Sequence, residues 1–134
     1  DLKIFLAHPL TMIASDAAPR KFNDAVPHPR GYGNNARVLG RYVRDQKVLT
    51  LEDAVRKMTS LPAKTFRLRD RGELRPGAIA DVVIFDPATV SDPSTYDDPH
   101  HYAVGFSDVI VNGVPVIRAA QLTGARPGTP VRLK

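Results

Sequence analysis

The sequence contains no cysteine in its 134 residues, which excludes disulfides and thiolate metal ligands and agrees with a reducing compartment. It has no apolar run long enough to span a bilayer and no basic-then-apolar stretch of the kind that opens an export signal. Membrane association is therefore not expected, and a cytoplasmic location is. Internal repeats and low-complexity tracts are absent too. No set of His, Asp and Glu shows the H-x-H or H-E-x-x-H spacing of a metal site, so a complete metal centre is not expected from these residues.

What is present is an ordinary globular composition, 43% hydrophobic, with a net charge of +5. The basic side chains Arg37, Arg41, Arg44, Arg56, Lys57, Arg67, Arg69 and Arg71 are spread along the sequence rather than clustered with interleaved aromatics, and acids such as Asp45, Glu52, Asp53 and Asp70 are mixed among them. That pattern describes solvated helix faces, and nucleic acid is not expected as a partner.

Along the chain, Asp1 to His8 reads as the tail of a helix stopped by Pro9, and Leu10 to Ala14 as a short buried strand. The polar stretch AAPRKFNDAVPHPRGYGNN is a long loop, and long loops at strand ends are uncommon unless functional. Asn34 and Asn35 are suited to cap a helix over Ala36–Asp45. Thr50, with Asp53 three residues on, predicts a capped helix over Leu51–Met58, and SLPAKTFRL restarts a helix with Pro62 in its first turn. Asp81 to Phe85 is a β-branched strand, and Ala88 to His101 a Pro- and Asp-rich connector. Asn112-Gly113 between two apolar runs predicts a type I′ hairpin with protected Val109, Val111, Val114 and Val116 and an exposed tip. TGARPGTPVRL ends the chain as a turn and an edge segment.

The stretch LTMIASDAAPR poses the chemical question. A carboxylate at the end of a buried strand is costly unless it is solvated, hydrogen-bonded or bound to a cation, so Asp16 either caps a turn or does chemistry. The order MIASDAAP, HPRGYGNNARVLGRYVRDQKVLTLEDAVRKMTSLPAKTFRL, RGELRPGAIADVVIFDP, VIVNGVPVI and TGARPG closely resembles the C-terminal third of the D-aminoacylases. These are the N-acyl-D-amino-acid deacylases of the amidohydrolase superfamily.

The resemblance implies an α/β fold: the last strand-helix portion of a (β/α)8 TIM-like barrel, residues 1-70, followed by part of a small β-sandwich, residues 71-134. A whole barrel takes roughly 250 residues, so the resemblance makes this sequence a C-terminal fragment of a zinc-dependent enzyme. Leu10 to Ala14 then becomes the eighth barrel strand, and Asp16 falls where such barrels place their active sites. By analogy Asp16 is the catalytic aspartate, taking a proton from zinc-bound water and delivering it to the leaving amine nitrogen. As a metal contact it would be weak or indirect, the zinc ligands proper lying on earlier strands, and the fragment alone would be inactive and bind no zinc tightly. One departure is Ala17, where the family usually has glycine.

Two further residues are substrate-binding candidates. His28 either faces a substrate pocket or bonds its own turn, and Arg30 either meets a substrate carboxylate or forms a surface ion pair. Tyr32 reads as loop packing, His8 as a helix-end residue, and His100-His101 as a solvated pair whose side chains diverge. The implied partner is a small N-acyl-D-amino acid, and an unpaired barrel edge would allow self-association. The rival readings are a cyclic-amide hydrolase of dihydroorotase or hydantoinase type, which shares ADVVIFDP, and a non-catalytic β-rich binding or assembly module.

Overall fold

The computed structural model describes residues 1–19 and 21–131; Arg20 of the long loop and residues 132–134 of the expected edge segment lie outside them. Among the described residues, four α-helices, a π-helical segment and a four-stranded antiparallel sheet make up the regular structure. Helix α1 spans Leu2–Ala7 and ends where His8 turns extended, ahead of Pro9. The next helix, α2, covers Arg30–Arg37 and runs on into a π-helical segment, Val38–Asp45. It begins six residues earlier than the Asn34-Asn35 caps predicted. Pro29, with φ −52°, already holds helical backbone at the boundary and is pre-organised to start a helix. Gly31 and Gly33 weaken the local helix signal, and Gly33 is in fact a kink, with φ −129° and ψ 17°.

Helix α3, Leu51–Met58, begins as its sequence predicts: the Thr50 side chain accepts a hydrogen bond from the Asp53 backbone N–H at 3.1 Å, a cap worth about 1 kcal/mol. The Asp53 carboxylate turns instead to Arg56, 2.9 Å away. Helix α4, Ser60–Thr65, follows at once with Pro62 inside its first turn.

The sheet has the order β1 (Val82–Phe85), β2 (Phe106–Val111), β3 (Val114–Arg118), β4 (Gln121–Leu122). The β2–β3 turn has positive φ at both Asn112 and Gly113, as a type I′ hairpin requires. Its tip is less exposed than expected, because Asn112 is tied down on three sides. Its N–H donates to the Asp81 carboxylate at 2.9 Å, its amide oxygen accepts from Arg71 at 2.9 Å, and its amide nitrogen donates to the Pro127 carbonyl at 2.7 Å. The flanking valines are correspondingly less protected. Val109, Val111 and Val116 are half-buried and Val114 is 42% exposed.

The strand expected over Leu10–Ala14 is absent, and residues 11–19 form no regular element. A strand needs a partner backbone for its N–H and C=O groups, and none of the described strands lies beside this segment. Its Ile13 N–H bonds instead to the Lys57 carbonyl at 3.1 Å.

The core joins both halves of the chain: Leu6, Ala36, Val38, Leu39, Leu49, Ala54 and Val90 are buried together, with Ile13, Met58, Phe85 and Phe106 packed on them. Gly40 makes this closure possible, since a Cβ there would stand 2.6 Å from the Val90 carbonyl. Arg44 secures the same carbonyl by a 2.7 Å hydrogen bond.

Candidate functional site

The three residues singled out from the sequence, Asp16, His28 and Arg30, line one cleft of about 840 Å³. Its walls come from α1, from the irregular segment 11–16, from the start of α2 and from residues 94–96 of the connector. Asp16 sits at its mouth with φ +48° and its side chain 85% exposed. A left-handed backbone is costly for most residues and least so for Asn and Asp, whose short polar side chains suit it.

Arg30, the first residue of α2, reaches the Asp16 carboxylate at 2.8 Å. So exposed a pair contributes at most about 1 kcal/mol. It therefore orients Asp16 without locking it, and the guanidinium can exchange this carboxylate for one on a ligand. Both alternatives read from the sequence, ion pair and carboxylate receptor, are compatible with that geometry.

His28 is fixed at both ring nitrogens. Nδ1 accepts from the Arg30 backbone N–H at 3.1 Å, which is the turn-bonding reading, and Nε2 meets the Tyr96 hydroxyl at 3.0 Å. With Nδ1 accepting, the neutral ring carries its proton on Nε2 and donates it to Tyr96. Tyr96 lies 68 residues away in the connector, and no local sequence pattern marks it as part of the cleft.

Tyr32 packs away from Asp16 in an aromatic cluster with Phe22, His100 and Tyr102. His100 is half-buried there rather than solvated, bonded to the Tyr32 hydroxyl and to the Ala25 carbonyl, each at 2.8 Å. His101 turns to Asp98 at 2.7 Å. The two histidines diverge as adjacent residues on extended chain do. His8 accepts from the Leu10 N–H at the end of α1.

Ser15 and Arg30 also border an apolar recess of about 630 Å³ between α2 and the sheet, lined by Tyr102, Phe106, Val109 and Ile117. Among the described residues no three His, Cys, Asp or Glu side chains come together to hold a metal ion. Asp16 offers a single carboxylate, short of the three or four protein ligands that a zinc site takes. These residues do not form a metal centre by themselves.

Residues 2–117 match the amidohydrolase family. N-acyl-D-glutamate deacylase from Alcaligenes xylosoxydans xylosoxydans is 48% identical over 132 residues, which cover 98% of this chain and 26% of the relative. A crystal structure of D-aminoacylase, described as defining a novel subset of amidohydrolases, superposes with a TM-score of 0.86 at 46% identity, covering 92% of this chain and 26% of that one. The N-acyl-D-glutamate deacylase of Bordetella bronchiseptica, crystallised with zinc and a phosphonate mimic of the tetrahedral intermediate, superposes with a TM-score of 0.81 at 48% identity, over 92% of this chain and 27% of that one. A dihydroorotase from Endomicrobium trichonymphae is 40% identical over a shorter stretch, 55% of this chain. The chain thus spans about a quarter of the length of the deacylases it matches. By the match over residues 2–117, the chain belongs to the amidohydrolase family.

Proposed function

We propose that the protein bearing this sequence hydrolyses the amide bond of N-acyl-D-amino acids, giving a carboxylate and a free D-amino acid. The observation that carries this reading is 48% identity to a deacylase across 98% of the chain, together with one cleft that gathers Asp16, His28 and Arg30. In this reading residues 1-70 form the last part of a (β/α)8 barrel and residues 71-134 part of a β-sandwich. Asp16 then stands at the end of a barrel strand once neighbouring strands pair with segment 10–14. The exposed apolar side chains of α1, Ile4 and Phe5 among them, are where further structure or a second copy would pack.

Asp16 is assigned as the general acid–base group. Its carboxylate takes a proton from the attacking water as the new C–O bond forms at the acyl carbon, then delivers that proton to the leaving nitrogen as the C–N bond breaks. Arg30 holds the Asp16 carboxylate or a substrate carboxylate, and His28 shapes the cleft through Tyr96. Zinc, held by ligands other than the described residues, would supply a Lewis acid beside this group.

The test is Asp16→Asn in the complete protein, assayed on a panel of N-acyl-D-amino acids. We expect kcat to fall by about 10²–10⁴-fold. KM should stay nearly unchanged, because the lost interaction acts in the transition state. Near-wild-type kcat would reduce Asp16 to a turn residue. If the wild-type protein hydrolyses a cyclic amide and none of the panel, the dihydroorotase-like reading replaces this one.

A further inference from the structure

Lys57 is a charged residue that is wholly buried, at 0% exposure. Burying an ammonium is costly unless acceptors surround it, and its two hydrogen-bond acceptors lie on one short stretch of chain. Its Nζ donates to the carbonyl of His8 and to that of Thr11, 3.4 Å away, with the Asp53 carboxylate at 3.8 Å. Its own backbone carbonyl accepts from the Ile13 N–H at 3.1 Å. The preceding residue repeats the contact: Arg56 donates to the Pro9 carbonyl at 2.9 Å, while Asp53 orients its guanidinium at 2.9 Å. The last turn of α3 thus grips residues 8, 9, 11 and 13.

These bonds fall on a segment with no regular structure of its own, just before the carboxylate at the mouth of the cleft. Beyond Ile13 the Asp16 carboxylate has Arg30 as its ion-pair partner, a weak constraint at this exposure. We infer that Lys57 and Arg56 are positioning residues for Asp16, setting where the segment leaves the helical layer and hence where the carboxylate stands. This rests on the catalytic assignment of Asp16 made above. Neither side chain lines the cleft or touches a reacting atom, so their action is transmitted through the backbone of residues 8–13.

The chemistry explains the residue types. Backbone carbonyls already engaged in a strand or helix have little need of a buried ammonium, whereas those of His8, Pro9 and Thr11 lie between elements. Methionine matches the bulk of lysine and fills the same space, but it removes the Nζ donor from both carbonyls, leaving that of His8 with the Thr11 N–H alone. Lys57→Met therefore separates filling from anchoring.

The experiment uses the complete protein with Lys57→Met and, in parallel, Arg56→Gln, which alters a more exposed side chain and does not threaten folding. Hydrogen exchange is followed by mass spectrometry on peptides covering residues 9–16 and 106–118, and kcat and KM are measured on the best N-acyl-D-amino acid. We expect exchange over 9–16 to accelerate at least about tenfold, as local opening becomes easier, while 106–118 is unchanged. We expect kcat to fall about 10–100-fold, the scale of a 1 Å misplacement of a catalytic group, with KM changed less than about twofold. Unchanged exchange over 9–16 in both variants overturns the anchoring. Accelerated exchange with unchanged kcat overturns the positioning role. If the wild type shows no deacylase activity, the catalytic reading fails independently, and the exchange data still decide whether the grip exists.

Discussion

Asp16 shows how little of a residue's chemistry is local. Its sequence context says only that a carboxylate follows a short apolar run; its φ of +48° and its 2.8 Å contact with Arg30, the first residue of α2, belong to the folded chain. Glu73 illustrates the same dependence in a place without catalytic interest. Its carboxylate lies 2.6 Å from the Lys64 ammonium, and that hydrogen bond, then the Lys64 charge, hold its carboxyl below the usual glutamate value. A depressed carboxyl contributes stability above its unfolded value and loses it as the pH falls through the folded one. The contribution of this pair should accordingly be present at neutral pH and disappear on acidification below the glutamate range. NMR titration should find the Glu73 midpoint low in the wild type and raised toward the ordinary glutamate value in Lys64→Ala, with Arg75 still holding it down slightly. Since both side chains are exposed, the change should leave the fold intact.

The elements differ in how well their own residues specify them. The β2–β3 turn is signalled by its own two residues, since Asn112 and Gly113 both take positive φ and Asn and Gly are the residues that tolerate it. A Cβ at Gly113 would meet nothing within 4 Å, so any penalty there is backbone strain alone. Gly113→Val should then destabilise by about 1–3 kcal/mol, seen as a lower Tm in thermal denaturation. An unchanged Tm would show that the turn relaxes to another type. α3 is equally self-specified through its Thr50 cap. α2 is not: two glycines argue against it, and it stands because Ala36, Val38 and Leu39, on α2 and the π-helical segment after it, are buried against Val90 from the connector. Segment 10–14 is the opposite case, apolar enough to be a strand yet irregular without a neighbour to pair with.

At the scale of the whole molecule, the core is small and many large apolar side chains face outward. Ile4 is 73% exposed, Phe5 65% and Leu10 74%, clustered on and just after α1. Exposed apolar patches of this kind mark surfaces that pack against something else. No helix among the described residues is long and apolar enough to cross a membrane. Among the described residues Asp16 also belongs to no group of three His, Cys, Asp or Glu side chains that could hold a metal ion. Isothermal titration of this 134-residue chain with zinc should show no stoichiometric binding at micromolar concentration, because one carboxylate cannot replace three or four nitrogen and oxygen ligands. Tight binding lost in Asp16→Ala would show instead that the chain builds its own site.

The sequence alone determined the features that depend on near neighbours: the Thr50 cap, the Pro62 restart, the Asn112-Gly113 turn, and motifs dense enough to identify the deacylase resemblance and to single out Asp16, His28 and Arg30. The cap, the restart and the turn follow from the preferences of residues next to one another, where backbone preference and side-chain chemistry act directly. Only the tertiary structure decided what lies between distant residues. It pairs His28 with Tyr96, brings Val90 against Gly40, and sets Lys57 under the carbonyls of His8 and Thr11. It also leaves Leu10–Ala14 without a partner. Separations of 46 to 68 residues are bridged by burial and by the need of polar groups for partners, and neither leaves a periodic mark on the sequence near the residues it joins.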